Sequence, residues 1–464
     1  MSASTTSESP VLSSDEENKR TAEGTTISPF DRLPDELIIP ILEQVFLDSD
    51  NNPRRHEPSV EIPHIALDRR FYRLAREVWY HSLYRDGEKQ EDLFLNLLLH
   101  HDVRPLVRRI RYQALVPHIR HDTALLASLT NLVSLDFDLD IGFRDDEVTM
   151  HSTIPRLVTN AIRSLPQLEH LRYSDYHTFS FEDTTFSSAD LPRLRSLEIE
   201  APPCDGVHTL IASTPRSLDR LSMAYDTVLS PEYEAVPWVS LRHFTAAVQF
   251  RWVEEDDEVT RVPWKEYLFA PLGRAIDASE ASSELKLPLE RFELTNSASW
   301  GGDDGWENGF PMSLAEFGEL VALLNKINLR HLVLLWDSSV VWHGLTPKAT
   351  SITTLTIRDA RELYDYLPFR NLCTFLLLFS NLKHLHLRTA DFTVPDTDPA
   401  FAEPSSSLFT LQFPHVVALV AFLRPRTVLH LTWESTFGER YVWSRASTTE
   451  EFVCETSDYE NWDL

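Results

Sequence analysis

From about residue 103 onward, apolar residues return in a phrase of the form LxxLxL, with x mostly polar. It reads VRRIRY at 107, LVSLDF at 132, LEHLRY at 168, LRSLEI at 194, LDRLSM at 218 and LRHFTA at 241. It continues as LERFEL at 289, LRHLVL at 329, ITTLTI at 352, LKHLHL at 382 and, with a looser fit, VLHLTW at 428. Within a phrase the period is two. In LEHLRY, Leu171 and Tyr173 fall on one face and His170 and Arg172 on the other, as in a strand with one side in a core and the other in solvent. Between phrases the period becomes helical. Ile154, Leu157, Val158, Ala161, Ile162 and Leu165 form one stripe, and Ser313 with Glu316 reads as a capping box ahead of Phe317, Val321 and Leu324. Alternating strand and helix predict an α/β solenoid, with parallel strands on its concave face and helices on its convex face.

The chain before the phrases has another texture. Residues 1–29 are rich in Ser, Thr and Glu without apolar periodicity, which predicts a solvated tail. At Phe30 the run FDRLPDELIIPILEQVF opens. Asp31 or the pair Leu33 and Pro34 starts a helix, Asp35 and Glu36 suit its positive end, and Leu37, Ile38, Ile41, Leu42 and Val45 form a stripe. A polar stretch from Asp48 to Pro58 follows. Then Ile62, Ile65, Leu67, Phe71, Leu74, Val78 and Leu83 predict one or two short amphipathic helices. A unit this small has a thin core and needs a partner or a neighbouring domain. The expected organisation is a tail over 1–29, a helical module over 30–86, a solenoid over 103–436 and an acidic tail or terminal cap over 437–464.

Composition narrows the chemistry. Acidic residues outnumber basic ones 71 to 43, a net charge of -28 that repels phosphate backbones, so nucleic acid is not an expected partner. The longest apolar run, Val416 to Leu423, is too short to span a bilayer, so no membrane association is expected. Three dispersed cysteines, Cys204, Cys373 and Cys454, offer no disulfide framework and fit a reducing, intracellular compartment, cytoplasmic or nuclear. The 12 glycines form no GxG turn, GxxxxGK cradle or GxSxG elbow.

The stretch Leu33 to Arg85 resembles an F-box, as found at the start of many fungal F-box proteins. The resemblance rests on Leu33, Pro34, Asp35, Glu36 and Leu37, on Ile41 and Leu42, on the run Leu67 to Phe71 and on the closing run Ala75 to Leu83. The loop Asp48 to Pro58 is an insertion relative to that family, and Leu67 with Asp68 stands where many F-boxes have Val-Cys. The resemblance implies docking on the Skp-type adaptor of a cullin ubiquitin ligase, with Leu33, Pro34, Leu37, Ile38, Ile41, Leu42, Ile65, Leu67 and Trp79 as adaptor contacts. The phrases resemble leucine-rich repeats. Five of their ten spacings fall in the window of about 20 to 29 residues typical of that class. The usual Asn or Cys after the last leucine is mostly replaced, with Asp140, Asp226 and Asp337 as partial substitutes, which predicts an irregular solenoid.

No residue is assigned to catalysis, and no cofactor or metal is expected. Asp136, Asp138 and Asp140 alternate with apolar residues and fit the solvated side of a strand. His118, His121 and Asp122, like His384 and His386, lack further ligands nearby in sequence. The outward strand positions form a surface of mixed charge, with Arg172, Glu198, Arg220, His243, Arg291, Arg358, His384, His386 and Arg388 as expected substrate contacts. The expected function is therefore that of a non-enzymatic substrate receptor, linking a cullin through the adaptor to an unidentified protein substrate. Two alternatives stay open: a repeat scaffold without ligase function and a metal-dependent enzyme at the aspartate strand.

Overall fold

The computed structural model describes residues 33–46, 69–85, 101–115, 119–140, 154–175, 186–187, 189–200, 205–214, 217–226, 236–249, 265–281, 286–296, 314–336, 348–359, 367–389, 392–393, 419–435 and 440–456. The expected tail, the loop after Asp48, Ile62, Ile65 and Leu67, the Glu254–Glu258 and Gly301–Trp306 insertions and Asp337 lie outside them. Two units are distinguished, Met1–Ser82 and Leu83–Leu464.

The first unit is a helix pair, α1 (Asp35–Phe46) and α2 (Arg69–His81). Asp35 and Glu36 occupy the first turn of α1, where the helix dipole favours acids. Asp35 also accepts a bond from Arg70 Nε at 2.6 Å and pairs with Arg73 at 2.8 Å, while Arg70 Nη2 donates to the Leu33 carbonyl at 2.6 Å. These contacts fix the start of α1 against α2. Ile38 and Leu42 pack with Phe71, Leu74, Ala75 and Val78, and Leu33, Ile39 and Trp79 lie against this core half-covered. The apolar stripe expected through Leu83 ends earlier: α2 stops at His81, and Leu83 is buried in a strand, β1 (Ser82–Arg85).

The second unit is a mixed α/β structure around an open sheet of fourteen strands. After β1 come β2 (Arg109–Leu115), β3 (Ser134–Asp140), β4 (His170–Asp175), β5 (Ser196–Glu200), β6 (Arg220–Asp226) and β7 (His243–Gln249). Then follow β8 (Arg291–Asn296), β9 (His331–Trp336), β10 (Thr354–Asp359), β11 (Leu367–Pro368), β12 (His384–Thr389), β13 (Phe392–Thr393) and β14 (His430–Ser435). Two strands end the series, β15 (Arg440–Ser444) and β16 (Val453–Thr456). The order follows the chain, with β11 and β13 set apart as a small pair. Every link from β2 to β14 is parallel, an order compatible with a solenoid. Residues 440–456, expected as tail or cap, add β15 and β16 antiparallel to the end of the sheet.

All eleven phrases lie on these parallel strands, and each strand begins at the third residue of its phrase. The first residue of each, from Val107 and Leu132 to Leu382 and Val428, is buried in the turn before the strand. The fourth and sixth residues fill the core, where Tyr112, Phe137 and Tyr173 stack at 5.7 and 6.0 Å. The second residue's carbonyl takes two bonds from the next strand: Arg108 accepts from the amides of Val133 and Ser134, and Glu169 from those of Arg195 and Ser196. That fork recurs along the sheet and holds one register throughout.

Helices α3 (Ile119–Ser128), α4 (Ile154–Arg163), α5 (Asp205–Ser213), α6 (Ala270–Ala281), α7 (Leu314–Ile327) and α8 (Phe369–Leu376) connect the strands. Each contributes buried apolar residues, such as Val158 and Ile162 of α4 and Leu320 and Leu324 of α7. Helix α4 stops at Arg163, so Leu165 is buried in the following turn instead of the helix. Asn328, at φ 60, ends α7, and the amides of Asn328 and Leu329 bond back to the carbonyls of Asn325 and Leu324, a Schellman closure. The turns are tied by side chains the sequence reading did not single out. Asn131 donates to the Pro105 carbonyl at 3.0 Å, Asn325 to Lys348 at 2.8 Å, Asn381 to Thr350 at 2.6 Å and Thr427 to Leu382 at 2.7 Å.

Candidate binding surfaces

Because the register never slips, outward side chains line up across the strands in rows. The first row reads Arg109, Ser134, His170, Ser196, Arg220, His243, Arg291, His331, Thr354, His384 and His430. The second runs from Arg111 through Asp136, Arg172, Glu198 and Glu293 to His386, and the third includes Asp138, Glu200, Arg358, Arg388 and Glu434. All nine expected substrate contacts point outward: Arg220, His243, Arg291 and His384 in the first row, Arg172, Glu198 and His386 in the second, Arg358 and Arg388 in the third. Over these three rows seven arginines stand against six carboxylates, so this face is close to neutral on a chain of net charge -28.

The rows are organised by ion pairs. In the second row, Arg111 lies 3.3 Å from Asp136, Arg172 lies 3.8 Å from Asp136 and 3.3 Å from Glu198, and Arg172 also reaches Glu200 at 3.4 Å. Ser174 donates to Glu200 at 3.2 Å. Burial pushes the carboxyls of Asp136 and Glu198 above their ordinary range, against the pull of Arg172. Asp136, expected on a solvated strand face, is thus the partner of arginines on both neighbouring strands. A second knot centres on Glu293, only 7% exposed, which accepts from Arg291 at 2.9 Å and meets Arg358 at 3.1 Å. His331 Nε2 lies 3.2 Å from Thr356 Oγ1, and His386 Nε2 lies 3.5 Å from Glu434. Burial holds His331 down to about 4, with Arg291, His243, His386 and Arg358 adding to the effect.

The helix pair presents a different surface. Ile38 and Leu42, expected as adaptor contacts, are spent on the internal core at 1% exposure, whereas Leu37 and Ile41 stand 54% and 42% exposed. Pro34 is exposed, and Leu33 and Trp79 are half-covered.

Among the described residues no group of three or more His, Cys, Asp or Glu is placed to hold a metal ion, and no helix is long and apolar enough to cross a membrane. Cys373 is shielded, its thiol pushed up to about 12 by burial. The sequence reading passed over the second residue of each phrase, which is basic at Arg108, Arg195, Arg242, Arg330 and Lys383. Its signal was available in the recurrence itself. No protein-family model matches this chain, and a search of curated proteins finds no relative.

Proposed function

We propose that the chain is the substrate-recognition subunit of a cullin-type ubiquitin ligase, with the helix pair docking on a Skp-type adaptor and the outward sheet face holding a protein substrate. The observation that carries the reading is the division of α1. One side, Ile38 and Leu42, is locked into the pair, while Leu37 and Ile41, one turn apart, stay in solvent beside Pro34. A two-helix core this small gains stability from a partner, and an apolar stripe left outside it is where a partner fits. The motif residues Leu33 to Leu37 and the order of helix pair followed by repeats support the same assignment. On this reading the protein performs no chemistry and works in the cytoplasm or nucleus. It raises the effective concentration of substrate lysines near a conjugating enzyme brought by the cullin.

Co-expression of the full chain with a Skp-type adaptor tests it. The two should co-purify, and Leu37→Asp with Ile41→Asp should abolish capture while leaving the circular dichroism unchanged. A wild-type chain that leaves the adaptor unbound would overturn the reading.

A further inference from the structure

The charge on the outward side of the sheet is not evenly spread. The leading margin, formed by the second and third residues of the eleven phrases, holds Arg108, Arg109, Arg195, Arg220, Arg242, Arg291, Arg330 and Lys383 and only three carboxylates, Glu169, Asp219 and Glu290, with Arg291 turned to Glu293 of the second row. Five histidines, His170, His243, His331, His384 and His430, share the margin. The next two rows reverse the balance, with four arginines against six carboxylates. The margin is therefore a cationic band on a strongly acidic protein. Glu169 lies 3.9 Å from Arg195 and Glu290 lies 4.0 Å from Arg242, whereas Arg109, Arg220, Arg330 and Lys383 have no ion-pair partner among the described residues. All four are exposed.

We propose that this margin docks an extended acidic protein segment, whose anionic side chains run across the strands along the first outward row. The shape argues for an extended segment. Eleven strands at about 4.8 Å make a band roughly 48 Å long and one or two residues wide, the span of about fourteen residues of extended chain. A broad acidic surface would also meet Asp136, Glu198 and Glu293 in the second row, and like charges brought together there are unfavourable. The assignment names the class of substrate for the receptor reading and takes its biological meaning from it.

The histidines make the docking sensitive to pH. His170 faces Glu169 and the cations Arg109, Arg220 and Arg195, and His243 faces Arg220, Arg291, Glu290 and Asp219. His331 faces Arg291, His243, His386 and Arg358, and His384 faces His430 and Lys383. In each case burial, reinforced by those cations, disfavours the proton. An acidic segment lying along the row offsets both, so binding takes up protons and strengthens as pH falls.

The test is fluorescence anisotropy of a labelled peptide of alternating Glu and Ser, about fourteen residues long, titrated with the purified full chain at low ionic strength. Saturable binding is expected, at least about threefold tighter at pH 5.5 than at pH 7.5 and weakened by added salt. The triple variant Arg109→Glu, Arg220→Glu, Lys383→Glu should lose about tenfold or more in affinity. Reversal of Lys265, Arg274 and Lys326, which lie on or beside helices α6 and α7, should change it less than twofold. Absence of binding, a flat pH response, indifference to the margin variant, or an oligothymidylate of equal charge binding as tightly as the peptide would each overturn the proposal. Adaptor capture is scored separately on the same preparations. Capture without peptide binding sinks this inference alone, and peptide binding without capture sinks the ligase reading alone.

Discussion

The imidazole rings of His384 and His430 stack 4.8 Å apart and within 2° of parallel, on adjacent strands in the same row. A proton on one ring places a cation against the face of the other, and the proton affinity of His384 is lowered by burial first and by His430 second. His170, His243, His331 and His386 are shifted in the same direction, with burial the main cause each time.

These shifts predict how stability depends on pH. A histidine whose folded value lies below the unfolded value of about 6.5 binds more protons when unfolded, so stability is complete above that value and declines as pH falls below it. For His331 the window runs from 6.5 down to about 4. Urea midpoints should therefore fall between pH 7.5 and pH 4.5. His331→Gln, which does not titrate and can still bond to Thr356, should show a shallower fall. An equal fall in wild type and variant would remove His331 as a source.

Arg172 holds Asp136, Glu198 and Glu200 together, and its removal leaves three close carboxylates. Arg172→Gln should cost about 1 kcal/mol at pH 7, a modest figure because the guanidinium is partly solvated. Asp136 and Glu198 are already raised, and without the arginine they rise further, so they protonate early as pH falls and their repulsion is relieved. The gap between variant and wild type should narrow at pH 4.5. A gap that widens there would contradict the role given to Arg172.

Arg445 is buried at 4% exposure and donates to four carbonyls: Nε to Val428 at 2.8 Å, Nη1 to Arg424 at 2.9 Å and Thr448 at 3.1 Å, and Nη2 to Arg426 at 2.6 Å. It also lies 4.5 Å from the ring centroid of Phe452. The planar fork binds together the turn before β14 and the chain after β15. Arg445→Ala should cost about 3 kcal/mol, and Arg445→Lys should recover less than half of it because an ammonium cannot reach all four acceptors. Chemical denaturation measures both.

The two sides of α1 should separate in mutational tests. Ile38→Ala opens a cavity in the helix pair and should cost about 2 to 4 kcal/mol, whereas Leu37→Ala should stay within about 0.5 kcal/mol in the isolated chain. Hydrogen exchange of the amides in α1 and α2 distinguishes them, with faster exchange expected for Ile38→Ala alone.

The strands were legible because each phrase couples a period of two to a buried leading residue, and no helix fits that pattern. Helix α4 was legible from its stripe. Leu83 does not continue the helical stripe: it stands five residues after Val78, off the face that recurs at three, four and seven, and that break in period marked the end of the helix. The pairing of Arg172 with Asp136 and Glu198 was out of reach for another reason. It depends on a register between segments 26 to 36 residues apart, and a shift of one residue would turn these side chains to the other face. Arg445 and the asparagine ties escaped because their partners are backbone carbonyls, which leave no mark in composition.

Successive strands begin anywhere from 23 to 48 residues apart, yet the alignment of third residue with third residue holds from Arg109 to His430. Lengthening a connection is inexpensive, about 0.6 kcal/mol for each doubling, and does not disturb the alignment. The outward face therefore behaves as an addressable grid, in which a side chain's place is set by its strand and its row and not by the length of chain before it. The outward residues of one strand can be exchanged for those of another without repacking the leucines beneath, and a connection can grow without moving a single address. Specificity in such a protein can be rewritten one coordinate at a time.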